Sequence, residues 1–329
     1  MLLTATNAET ATLRSSPPSE MMRRCSYCGV GILLLVARDH VHSQQRYLSI
    51  SPVEVQMRVV NLHLDRSTVL EISRLRGQMI PIKRERPVTF DDPNSFVIRI
   101  TSAEVAISTR TLADLLNQRV FNYRDAPLKK ITISTDQGKI VEKGLMHKVM
   151  DIPFEVKGTL DVNAAGDVRL RAGRVEAAHV SAKELLHLFG GDLSKLVNLK
   201  QDRGVRIEGD DILLSPATIL PPPKIEGTVT GVRVEGDRIV LTFGAATSTG
   251  LRPPFKAASY IYHRGGVLRF GKLTMTDSDL ELVNYPPHSP FDFSLPDYNR
   301  QLVAGYSNNT VNHGLIVFMP DLKSLPANR

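Results

Sequence analysis

From Met150 to Val162 the chain alternates without a break. Met150, Ile152, Phe154, Val156, Gly158, Leu160 and Val162 fall on one side, and Asp151, Pro153, Glu155, Lys157, Thr159 and Asp161 on the other. Period two sustained over this length is what a strand gives when one face is in the core and the other in water. At about 3.3 Å per residue the strand would extend roughly 43 Å, well beyond the usual length of about 5–6 residues. An apolar face that long needs an equally long cover: a helix, a second sheet or a ligand chain.

Pro52–Leu64 alternates in the same way, with Val53, Val55, Met57 and Val59 on one side. Ser67–Arg86 is ambiguous, because Val69, Leu70, Ile72 and Leu75 fit a short helix or an irregular strand; Pro81 and Pro87 bracket a basic loop. Phe96–Ile107 reads as a strand. Thr109–Phe121 reads as a helix, with a capping box at Thr111-x-x-Asp114 and with Leu112, Leu115, Leu116 and Val120 at helical spacing. A meander follows: Leu128–Thr135, a turn at Asp136-Gln137-Gly138, then Lys139–His147 leading into the long strand. Asn163–Gly166 turns the chain into Asp167–Val180. Ser181-x-x-Glu184 caps a second helix, whose Leu185, Leu186, Leu188, Phe189, Leu193, Leu196, Val197 and Leu199 call for burial on most of its circumference; Gly190-Gly191 marks a break. That helix suits a packed core or the wall of a lipid cavity.

The chain then echoes itself. Gly204–Leu214 reads G-V-R-I-E-G-D-D-I-L-L, and Gly231–Leu241 reads G-V-R-V-E-G-D-R-I-V-L, offset by 27 residues. Both are expected to be hairpins turning at Glu-Gly-Asp, within one sheet. After Phe243 a linker-like stretch leads to strands at Ser259–Tyr262, Val267–Thr276, Leu280–Val283 and Leu315–Phe318. A short helix is capped by Ser294-x-x-Asp297, presents Leu295, Tyr298 and Leu302, and ends at Gly305.

Composition narrows the classes. The 329 residues are 42% hydrophobic and 23% charged, without Trp, which is a globular composition. A net charge of +7 points to anionic partners. A nucleic-acid surface would need a Lys/Arg stripe with interleaved aromatics. Only Lys83–Arg86 and the trio Arg169, Arg171, Arg174 are clustered, so no nucleic-acid partner is expected; the trio suits a solvated strand face or contact with lipid phosphates. Met21-Met22-Arg23-Arg24 precedes the apolar run Cys25–Ala37, too short for a membrane span. This reads as a signal peptide whose synthesis begins at Met21 or Met22, and export is expected. Cys25 and Cys28 fall in that leader, in no metal or haem context.

No chemistry declares itself. The chain has no G-x-S-x-G, Gly-rich phosphate loop, H-E-x-x-H or D-x-D-x-D-G. His179 and His187 are not at a standard ligand spacing. The expectation is a protein without catalytic residues, metal or cofactor.

The order of Thr111-Leu112-Ala113-Asp114-Leu115-Leu116, the meander, I-P-F-E-V-K-G-T-L-D-V, the capped second helix and V-T-G-V-R-V-E-G-D-R-I-V-L-T-F-G resembles the bacterial LmeA-like family of domains, related to tubular lipid-binding (TULIP) proteins, over about Ser102–Gly244. The resemblance implies an α+β fold: a highly curved antiparallel sheet wrapped around long helices, with lipid in an apolar groove between them. The organisation that follows is a leader at 1–43, a lipid-binding domain at 44–244 and a β-rich extension at 245–329 packing on it. The expected groove residues are Leu112, Leu115, Leu116, Ile152, Phe154, Val156, Leu160, Leu185, Leu188 and Phe189, with basic residues at the mouth for phospholipid or glycolipid headgroups. Phe291, Phe293 and Tyr298 form either an aromatic latch or a tip that docks on an anionic membrane. The functional expectation is an exported lipid-binding or lipid-transfer protein of the cell envelope. Its rival is a non-enzymatic envelope scaffold with a fully packed core.

Overall fold

The computed structural model describes residues 50–147, 151–177, 180–181, 203–209, 211–245 and 250–326. They belong to one compact unit, Tyr47–Arg329, and are mostly β. In chain order the strands are β1 (Val53–His63), β2 (Val69–Pro81), β3 (Val88–Thr89), β4 (Phe96–Ser108), β5 (Leu128–Asp136), β6 (Lys139–His147), β7 (Asp151–Val162), β8 (Val168–Ala177) and β9 (Val180–Ser181). They continue as β10 (Val205–Glu208), β11 (Asp211–Leu214), β12 (Lys224–Glu226), β13 (Val229–Glu235), β14 (Arg238–Phe243), β15 (Tyr260–Phe270), β16 (Leu273–Asn284), β17 (Phe291–Ser294), β18 (Tyr306–Asn309) and β19 (Leu315–Met319).

Two sheets result. The larger runs β13-β14-β4-β2-β1-β15-β16-β19-β18, with β12, β17 and β3 beside β4, β1 and β15. The smaller runs β10-β11-β8-β7-β6-β5 and is antiparallel throughout. The architecture is a curled antiparallel half-barrel. The long alternating strand is β7, between β6 and β8. Residues beyond 250 extend the larger sheet directly: β15 and β17 both pair with β1. The expected strand at Val267–Thr276 spans a hairpin turn, since Phe270 pairs with Leu273 around Gly271-Lys272.

No long helix is found among the described residues, so wrapping around long helices is not what they show. α1 (Thr109–Leu115) is the crossover between the sheets. Its cap is Ser108, one turn earlier than expected: the Thr111 N–H donates to Ser108 Oγ at 3.0 Å. The helix then widens into a π turn, Leu116–Val120, which ends with Phe121 N–H donating to Leu116 O at 2.8 Å. Asn117 ties that turn to β5. Its amide donates to Ala113 O at 2.9 Å and Ile131 O at 2.7 Å, and its Oδ1 accepts from Ile131 N–H at 2.9 Å. α2 (Pro216–Ile219) is a single turn, and α3 (Tyr298–Val303) is six residues long. Ser294 Oγ accepts from Asp297 N–H at 3.1 Å just before α3. Ser181, expected to cap a second apolar helix, instead ends strand β9 opposite Glu176 of β8, and the helix expected after it lies outside the described residues.

The ambiguous stretch before Pro81 is strand β2, held on both sides by β1 and β4. Its apolar spacing looks helical because the strand changes face midway. Buried positions run Leu70, Ile72, then Leu75, Gly77, Met79. β1 changes face at the same crossing, from Val55 and Met57 to Val60 and Leu62. Val59, expected on the buried side with Met57, is instead the half-buried residue at the switch, with φ +49°. A left-handed residue inside a strand shifts the side-chain parity by one.

The echo hairpins part company. β10–β11 joins the smaller sheet through β8, and β13–β14 joins the larger through β4. They are not neighbours in one sheet, because their turns are local while their sheet is chosen by the strand each one meets.

Candidate functional site

A cavity lies between the two sheets, with about 100 Å³ open to the centre of a water molecule. β2 and β4 line it with Leu70, Ile72, Leu75, Ile98, Ile100, Val105 and Ile107, and β14 adds Ile239, Leu241 and Phe243. The smaller sheet supplies Ile133, Ile140, Leu160, Val168, Leu170, Ile212 and Leu214. The crossover closes one side with Leu112, Leu116 and Phe121, and α2 contributes Pro216 and Ile219. Of the thirty described residues that line it, Glu142 alone is polar. One water needs roughly 10–15 Å³ of such space and 2–4 polar partners. The cavity has room for several waters and one carboxyl to hold them, so its walls suit a hydrocarbon.

A smaller cavity of about 20 Å³ shares Met57, Leu62 and Ile98 with the first. Its other walls include Phe90, Phe96, Phe293 and His263. His263 is fully buried, and among the described residues its ring nitrogens meet no partner at hydrogen-bonding geometry. Burial holds its pKa down at about 4, with the Leu280 backbone pulling weakly the other way, so the ring is neutral.

Glu142 owes its place to the pleat of β6. Ile140, Glu142, Gly144 and Met146 share the inner face of that strand. Across the ladder its neighbours are Ile133 on β5 and Val156 on β7. Its side chain makes no hydrogen bond or ion pair among the described residues, and burial alone pushes its pKa up to about 7.

Of the groove residues expected from the sequence, Leu112, Leu116 and Leu160 line the cavity. Leu115 is buried in the core without lining it. Val156 is buried, and Phe154 and Ile152 are half-buried on the same face of β7; none of the three lines the cavity. Leu185, Leu188 and Phe189 lie outside the described residues. The membrane-docking expectation for Phe291, Phe293 and Tyr298 is overturned: all three are at most 1% exposed. β17 pairs with β1 and carries the two phenylalanines into an aromatic cluster, their rings 5.7 Å apart and Phe293 6.4 Å from Phe90. Tyr298 packs 4.7 Å from Phe270, donates its hydroxyl to Asp91 Oδ1 at 2.9 Å and accepts from Gly271 N–H at 2.9 Å. They are a latch, and their burial excludes a membrane tip.

No Lys or Arg is among the described residues that line the cavity. Arg169 donates to both carboxylate oxygens of Asp161, at 2.7 and 3.1 Å, and Arg171 donates to the same carboxylate. Lys83–Arg86 is an exposed loop between β2 and β3. Sequence reasoning passed over Glu142, though its signal was legible as an acid in phase with Ile140 and Met146. It also passed over the matched positions of the echo hairpins, Ile212 with Ile239 and Leu214 with Leu241, all four of which face the cavity.

No family model, curated protein or solved structure matches this chain. The site therefore speaks through its own geometry. Among the described residues no group of three or more His, Cys, Asp or Glu is placed to share a metal ion.

Proposed function

We propose that this protein binds lipid, holding an acyl chain in the cavity between its sheets, and that it is an exported, non-enzymatic lipid carrier of the cell envelope. The observation that carries the reading is the wall of the cavity, in which one of the thirty described residues is polar. A packed scaffold core would close such a space, because unfilled apolar volume destabilises. Each buried methylene is worth about 0.8 kcal/mol. Ten of them offer roughly 8 kcal/mol before the cost of ordering the chain. A TULIP-like arrangement is part of the proposal: the curled antiparallel half-barrel suits it. Export rests on the basic and apolar pattern from Met21 to Ala37.

The test is mass spectrometry of organic extracts from the purified protein, together with native mass measurement. Stoichiometric lipid in the extract and a matching mass shift are expected. A protein that neither co-purifies with lipid nor takes up added acyl chains would be the scaffold.

A further inference from the structure

We infer that Glu142 anchors the polar group of the cavity's ligand, and that this group is an uncharged hydrogen-bond donor such as a hydroxyl; this rests on the lipid-cavity reading above.

Four observations converge on it. Glu142 is 7% exposed and lines a wall whose every other described residue is apolar. Its side chain has no protein partner among the described residues, and a buried polar group left without one is destabilising. The position does not require an acid: Ile140 on the same face and Ile133 and Val156 across the ladder are apolar. The group therefore suits a partner that arrives with the ligand.

The chemistry of that partner follows from what surrounds it. No Lys, Arg or His is among the described lining residues, so a phosphate or carboxylate would meet Glu142 with no counter-charge. A plain hydrocarbon end would leave the carboxyl unsatisfied. With its pKa pushed up to about 7, the group at neutral pH is divided between a form that only accepts and a form that also donates. A hydroxyl donates and accepts, and so matches both forms. The ligand class is an uncharged amphiphile, a fatty alcohol or hydroxyl-bearing acyl lipid.

The experiment compares dodecanol, dodecane and dodecyl phosphate as competitors for a hydrophobic dye bound by the full chain. The wild type is expected to prefer dodecanol over dodecane by about tenfold, equivalent to about 1.4 kcal/mol, and to take dodecyl phosphate least well. Glu142→Leu should bind dodecane at least as well as before and lose the preference for the alcohol. Glu142→Gln, which keeps a donor and an acceptor, should retain most of it. An undiminished preference in Glu142→Leu overturns the assignment, as does wild-type protein that takes dodecyl phosphate as readily as dodecanol. Failure of every chain, dodecane included, to displace the dye or bind on its own would instead remove the cavity reading and this inference with it. Thermal melts of both variants report folding, and the wild-type comparison decides the ligand class without either variant.

Discussion

Gly144 stands opposite Phe154 across the β6–β7 ladder, and the aromatic ring lies where a side chain at Gly144 would go. A Cβ there would sit 2.9 Å from Phe154 Cε1 and 3.0 Å from the Lys129 carbonyl oxygen. The glycine lets a large residue on the inner face of β7 fold over its neighbour. Gly144→Ala is expected to cost about 1–3 kcal/mol, in the range of overpacking. In a Phe154→Ala background the same change should cost less, because the ring is gone. Urea denaturation of the four proteins measures this. Equal costs in both backgrounds would assign the constraint to the Lys129 backbone rather than to the ring.

The aromatic latch predicts a stability phenotype. Phe293→Ala removes a ring that touches both Phe291 and Phe90, and should cost about 3–5 kcal/mol as large-to-small core changes do. Thermal melting should fall clearly, while sedimentation with anionic vesicles should change no more than the folded fraction does. An unaltered melt with lost vesicle binding would restore the membrane tip.

Glu142 and His263 give the protein two opposed pH limbs. Folded Glu142 keeps its proton up to about 7, while the unfolded side chain releases it near 4.5, so stability falls as pH rises through that window and stays lowered above it. Folded His263 resists protonation until about 4, while the unfolded ring accepts a proton near 6.5, so stability falls as pH drops through that window. Each limb amounts to something on the order of 3 kcal/mol. Glu142→Gln should gain stability above pH 7 relative to wild type and gain little near pH 4. His263→Leu should flatten the acid limb. Denaturant midpoints from pH 4 to 8 on ligand-free protein check both; parallel profiles for wild type and Glu142→Gln would show that the carboxyl titrates normally.

Filling the cavity should separate capacity from stability. Ile133→Phe places a larger apolar side chain at its wall. The expected gain is about 0.5–2 kcal/mol, as cavity-filling changes give, with a several-fold fall in co-extracted lipid. A variant that is more stable and still carries lipid at the wild-type ratio would place the lipid elsewhere.

Several features of this protein were legible along the chain because they are local. The pleat of a strand, read from period two along Met150–Val162, determined β7 and which of its side chains share a face. The same pleat placed Glu142 in line with Ile140, and the Glu-Gly-Asp turns determined both echo hairpins. Leu112 and Leu116 were readable from helical spacing, which depends on the same short stretch of backbone. Tertiary structure decided the rest. Val59 left the buried face because β1 and β2 switch parity together, and that switch depends on pairing between distant strands. The hairpins separated because β8 recruited one and β4 the other. Phe291-Asp292-Phe293-Ser294 carries no readable face because all four residues are buried once β17 lies beside β1. The cavity itself is a gap between two sheets, and its walls come from β2, β4, β6, β8, β11 and β14 together. Backbone dihedrals are set within a few residues of each position, whereas the distance between sheets is set by every strand that spaces them.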